Sequence, residues 1–110
     1  MTIKANQLPR KSPGDVEAGA CNFVNELRAS ELLSGTPTVV EQTTSDLVIT
    51  NQGLNAGSVT IAGSVAAASQ AVLWTVSGGT AGQLYSLKIT VSTDASDSRT
   101  LNRLTDFFVE

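Results

Sequence analysis

From Leu84 to Thr93 apolar and polar residues alternate one for one. Tyr85, Leu87, Ile89 and Val91 fall on one side, and Ser86, Lys88, Thr90 and Ser92 on the other. A period of two belongs to a strand with one face in a core and the other in water. Residues 71–77 repeat the signal, with Val72, Trp74 and Val76 sharing a side. Between the two runs lies Ser77-Gly78-Gly79-Thr80-Ala81-Gly82, a turn whose Gly78, Gly79 and Gly82 supply positive φ angles. A polar tip over residues 93–98 then leads to a last strand over residues 99–109. Leu101 and Leu104, three apart in that strand, predict a bulge ahead of Phe107 and Val109.

Upstream the pattern is weaker. Residues 36–41 and 46–50 are two β-branched runs split by the polar Gln42-Thr43-Thr44-Ser45, which predicts neighbouring strands of a meander. Val59 and Ile61 share a face and mark another short strand. The alanines between Ser64 and Ala71 give the highest local helix propensity in the chain and predict a turn of helix. Over residues 21–33 periodicity does not choose: Phe23, Val24, Leu27, Leu32 and Leu33 partly fit a helical stripe, but a strand to about Glu26 with a turn over residues 30–35 fits as well. The strand is the preferred reading and a short helix the alternative.

About seven short strands at spacings of roughly 8 to 14 residues are the signature of an all-β sandwich. A barrel of five or six strands is the architectural alternative. Trp74 is the expected central aromatic of the core, together with Tyr85, Leu87, Ile89 and Val91. Tyr85, opening its strand three residues past Gly82, sits where a tyrosine corner would, with its hydroxyl bonded to backbone near the turn.

Residues 1–17 carry Lys4, Arg10, Lys11, Pro9 and Pro13 with little periodicity, and read as an extended arm before a domain over residues 18–110. Leu8, Pro9, Arg10, Pro13 and Val16 are the arm's candidate contacts for a neighbour in an assembly. Phe107 and Phe108 extend that list, because adjacent strand residues face opposite ways and both rings cannot enter one core. The outward ring needs a cover, either the arm or a subunit partner.

Composition narrows the chemistry. At 110 residues the chain has room for one core. It contains no histidine, which removes His-based triads and His metal sites. The single cysteine, Cys21, cannot close an intramolecular disulfide and reads as a buried filler. A net charge of −3 argues against a protein that binds nucleic-acid backbone. No apolar run is long enough for a secretory signal or a membrane span, so a soluble chain made in a cytosol is expected, without membrane partners. The glycine-rich turn lacks the spacing of a phosphate loop. Asp94 and Asp97 read as a solvated hairpin tip, and Arg99 and Arg103, near Asp94, Asp97 and Asp106, as a mixed solvated patch. No cofactor and no enzymatic activity are expected.

From Trp74 through Ser77-Gly78-Gly79-Thr80-Ala81-Gly82 to the Tyr85-led strand ending at Thr93, followed by Arg99-Thr100-Leu101, the chain resembles a family of small Ig-like virion proteins of tailed bacteriophages, often labelled fibre or structural proteins. Ser12-Pro13-Gly14-Asp15-Val16 is similar to that family's N-terminal arm motif. The likeness covers roughly the last 40 residues well and the first 70 only in the order of elements. It implies an Ig-like sandwich in a non-enzymatic, multi-copy virion role on the head or at the head-to-tail (neck) region. The implied partners are other virion proteins (capsid, portal, neck or tail) and further copies of itself. The family's tryptophan-rich stretch after the arm is here Asn22-Phe23-Val24-Asn25-Glu26-Leu27. The alternative reading is an adhesion or carbohydrate-binding module contacting a host surface.

Overall fold

The computed structural model describes residues 2–3, 10–11, 15–42, 46–95 and 99–109. Among them are ten strands and no helix: β1 (Thr2–Ile3), β2 (Arg10–Lys11), β3 (Glu17–Asn22), β4 (Leu33–Glu41), β5 (Leu47–Leu54), β6 (Val59–Ile61), β7 (Ser64–Ala66), β8 (Ala71–Gly78), β9 (Leu84–Thr93) and β10 (Thr100–Val109). One sheet runs β3-β8-β5, all antiparallel, and the facing sheet runs β4-β9-β10, also antiparallel, with β2 added in parallel at the end of β10. These orders are those of strands B-E-D and C-F-G in an immunoglobulin-type sandwich. A small third sheet, β1-β6-β7, hangs beside them.

The core lies between the two larger sheets. Phe23, Val72, Val76, Tyr85, Leu87, Ile89, Val91 and Val109 are essentially closed to water, and Trp74 is nearly so. Each such aliphatic or aromatic side chain contributes roughly 1.5–3 kcal/mol of transfer free energy. The alternation of β9 is reproduced, with Tyr85, Leu87, Ile89 and Val91 inward. Gly19 of β3 lies directly across from Trp74 of β8, and a Cβ there would stand 2.2 Å from the indole ring. Glycine is what lets the ring lie over that strand.

The turn before β9 behaves as its glycines require, with φ of 78°, 97° and 82° at Gly78, Gly79 and Gly82. A Cβ on Gly78 would meet the Asp46 carbonyl oxygen at 2.7 Å, and one on Gly79 would meet Val109 at 2.8 Å. The Tyr85 hydroxyl accepts from the Thr80 N–H at 2.7 Å and donates to Asp46 Oδ2 at 3.1 Å. The tyrosine therefore ties its own turn to the start of β5 in the opposite sheet.

Four local expectations are corrected. Strand β3 ends at Asn22, where the Asn22 side chain accepts the Val24 N–H and turns the chain, so the strand does not reach Glu26. Strands β4 and β5 are not meander neighbours: β4 pairs with β9 and β5 with β8. Their link across the sandwich is Gln52, whose Oε1 accepts the Val39 N–H at 3.0 Å. A one-residue bulge after Thr50, with Asn51 at φ 55°, interrupts β5 just before Gln52.

The alanine-rich segment forms no helix. Ser64–Ala66 is a strand, paired to β6 across Ala62 and Gly63, both with positive φ as in a type I′ hairpin. So short a stretch cannot carry helix nucleation, and another residue takes its backbone bonds. Asn55, buried, donates to the carbonyls of Gly57 and Ala67 and accepts from the N–H groups of Gln70 and Ala71. Finally, β10 pairs with β9 without interruption from Thr100 to Phe108, so the bulge is absent. Leu104 simply faces out, and the inward place before it is taken by Arg103.

Two substitutions follow. Asn55→Ala leaves several buried backbone groups without partners and is expected to cost about 3 kcal/mol. Tyr85→Phe removes one hydroxyl with two bonds and is expected to cost about 1–2 kcal/mol. Urea unfolding checks both, as a lower midpoint at unchanged slope.

Candidate assembly surface

The arm's described pieces are extended and add parallel strands to two different sheets: Thr2 and Ile3 register with Thr60 and Ile61, and Arg10 and Lys11 with Phe108 and Val109. The arm and the end of β10 are thus brought together. Leu8, Pro9 and Pro13 lie outside the described residues, as do the side chains of Arg10 and Phe107. Val16 is exposed, and Phe108 is half-buried. β2 covers only the last two residues of β10. Among the described residues no strand pairs with the outer edge of β10 from Thr100 to Phe107. An uncovered edge is a row of backbone donors and acceptors ready to take a strand.

The outer face of the β4-β9-β10 sheet is the second exposed feature. Val40 pairs with Lys88 and Lys88 with Leu104 in one row across the three strands. Val40 and Leu104 are half or more exposed, as is Leu84 farther along β9 to within a percent. A shallow depression of about 360 Å³ lies there, lined by Gln42, Lys88, Asn102, Arg103 and Leu104.

Asp94 and Asp106 are exposed as expected of a solvated patch, but Arg99 and Arg103 pair with Glu31 and Glu26 of the loop from β3 to β4. Glu31, in the loop from β3 to β4, is buried and ion-paired to Arg99. Its Oε1 also accepts the Arg28 N–H at 2.9 Å, and its Oε2 accepts the Thr93 hydroxyl at 2.8 Å. The Arg28 N–H bond, aided by the Thr93 hydroxyl and by the Arg99 and Arg28 charges, holds the Glu31 carboxyl below the ordinary range even though burial pushes the other way. Arg103 pairs with Glu26, donates to the Asn22 carbonyl at 2.8 Å, and lies over the Phe23 ring with its guanidinium carbon 4.9 Å from the centroid. Beneath it Cys21 is a buried free thiol, its pKa raised by burial more than the Arg103 charge lowers it. Asp94 accepts the Leu32 N–H and returns its own N–H to the Leu32 carbonyl, both at 2.9 Å, so it clamps the loop to the hairpin end. Asp97 lies outside the described residues.

Apart from the local Arg28 N–H bond to Glu31, these contacts leave no local pattern in the sequence, because their partners are 62 to 82 residues apart. The one available signal was an arginine, Arg103, at an inward step of an otherwise alternating strand. Among the described residues no group of three or more His, Cys, Asp or Glu side chains is placed to hold a metal ion. Compared with known proteins, the chain matches no family model, no curated protein and no solved structure.

Because the Glu31 carboxyl is held low in the folded state, its stabilising contribution is present above the ordinary glutamate value near 4.3. It is lost as pH falls through the lowered folded value. Glu31→Gln is expected to lower the melting temperature at pH 7 and to soften the loss of stability on acidification below about pH 5. Thermal melts of the two proteins at stepped pH check this.

Proposed function

We propose that this chain is a non-enzymatic structural component of a tailed-bacteriophage virion, an Ig-like module held in multiple copies on the head or at the head-to-tail region. The observation that carries the reading is the arm-and-edge arrangement. An extended N-terminal segment lays two residues of parallel strand on the end of β10, and the rest of that edge has no strand partner among the described residues. Strand addition at a free edge gives affinity through backbone bonds and register through side chains, which suits a small module docked repeatedly on a larger shell. The resemblance of the Trp74-to-Leu101 stretch to phage virion proteins supplies the setting. Other virion proteins and further copies of the chain are its partners, its location is the particle, and it needs no cofactor.

Particles assembled with the chain lacking residues 1–16 test the role of the arm. The expected outcome is loss of the protein from purified particles, measured by quantitative mass spectrometry, with its fold in solution retained by circular dichroism. Incorporation equal to that of the intact chain overturns the arm's part. Absence of the intact chain from purified particles overturns the virion reading itself.

A further inference from the structure

On the outer face of the β4-β9-β10 sheet, Lys88 and Asp106 are both exposed, and among the described residues neither side chain makes an ion pair or hydrogen bond within the chain. Their positions are fixed by the register. Lys88 is opposite Leu104, and Asp106 is opposite Ser86, so the four residues form a quadrilateral on two adjacent strands. Lys88 and Asp106 occupy one diagonal, Ser86 and Leu104 the other. With strands roughly 4.8 Å apart and outward residues roughly 6.8 Å apart along each strand, either diagonal is roughly 8 Å. Leu104 is 65% exposed, and Val40 on the other side of Lys88 in the same row is 50% exposed, so Lys88 stands between two exposed apolar side chains.

We propose that this face binds a second copy of the chain about a two-fold axis that crosses the Lys88–Asp106 diagonal at right angles, close to the line from Ser86 to Leu104. A two-fold contact must be self-complementary, with residue i meeting j and j meeting i. An axis crossing the Lys88–Asp106 diagonal squarely at its midpoint exchanges the two ends of that diagonal, so each Lys88 faces the partner's Asp106 and two ion pairs form. It also brings Leu104 against its own symmetry mate beside the axis. For this quadrilateral the strands of the two sheets cross at a steep angle nearer perpendicular than parallel, which is one of the two ways in which sheets pack face to face. Other in-plane axes through the same patch fare worse. One along the strands sets Lys88 against Leu104, and one across them sets lysine on lysine or lysine on serine. The charge arrangement therefore selects both the partner and the axis.

The inference deepens the multi-copy reading above by naming the surface through which copies meet, and its failure can be told apart from that reading's failure. The test is sedimentation equilibrium of the full chain across a concentration series. A reversible dimer is expected. Lys88→Asp and Asp106→Lys, each placing like charges face to face, are expected to weaken it at least about tenfold. The double variant carrying both reversals is expected to recover most of the affinity, and Leu104→Asp to abolish it. All three substituted positions are on the wet face, so circular dichroism and melting temperature should stay near those of the parent. A monomer at every concentration, or a dimer that the single reversals leave unchanged, or a double variant no better than the singles with its fold intact, overturns the proposal. Incorporation of a strictly monomeric chain into particles overturns it while leaving the virion reading in place.

Discussion

A carboxylate closed off from water has to be surrounded by donors, and the loop between the two sheets is built around that requirement. Glu31 sits in the stretch that carries the chain from β3 to β4, where no regular ladder satisfies the backbone. Its two oxygens collect the Arg28 N–H, the Thr93 hydroxyl and the Arg99 guanidinium, so one residue joins the crossing loop to the end of β9 and the start of β10. Removing one partner from such a set leaves the rest desolvated without compensation, which is why these groups hold together as a unit. Arg99 extends the set by donating to the Glu26 carbonyl, and Glu26 in turn pairs with Arg103. The line of contacts runs from there to Phe23 and Cys21 in the core.

The sandwich has a second fastening away from this set. There the Tyr85 hydroxyl bridges the glycine turn and Asp46, while Gly82 donates to the Val109 carbonyl and Val109 to the Gln83 carbonyl. The two sheets are thus fixed by polar contacts at separate places, with an apolar core between. Asn55 holds the small β6-β7 hairpin to the start of β8 in the same manner, through backbone groups that the hairpin itself leaves unpaired.

How much of this was legible follows from where each signal resides. The alternation of β9, the Trp74 strand and the glycine turn are local, so they were read correctly, as was the all-β sandwich they add up to. Sheet membership is not local: β4 and β5 carry the same β-branched pattern whether they lie side by side or across the core, and only their pairing with β9 and β8 decides. The alanine segment misled because helix propensity is a weak preference beside the hydrogen bonds that one buried asparagine can offer. In β10 the three-residue step from Leu101 to Leu104 suggested a bulge. The actual cause is an inward Arg103 neutralised by Glu26 and seated on Phe23. The arm and the end of β10 stand out in the sequence by composition and by the adjacent phenylalanines, and the structure pairs them with each other. The row of Val40, Lys88 and Leu104 was not legible, because it spans three strands whose alignment the sequence does not state.

The burial of Cys21 beneath Arg103 bears on the chemistry of crowding. Thiol exchange and oxidation proceed through the accessible thiolate, and here the sulfur is enclosed and its proton is retained more tightly than in a free cysteine. Chains brought side by side at high density in an oxidising medium therefore have no exposed thiol with which to cross-link. Covalent scrambling between neighbours would first require the sandwich to open, so the lifetime of the folded state also sets the shelf life of the thiol.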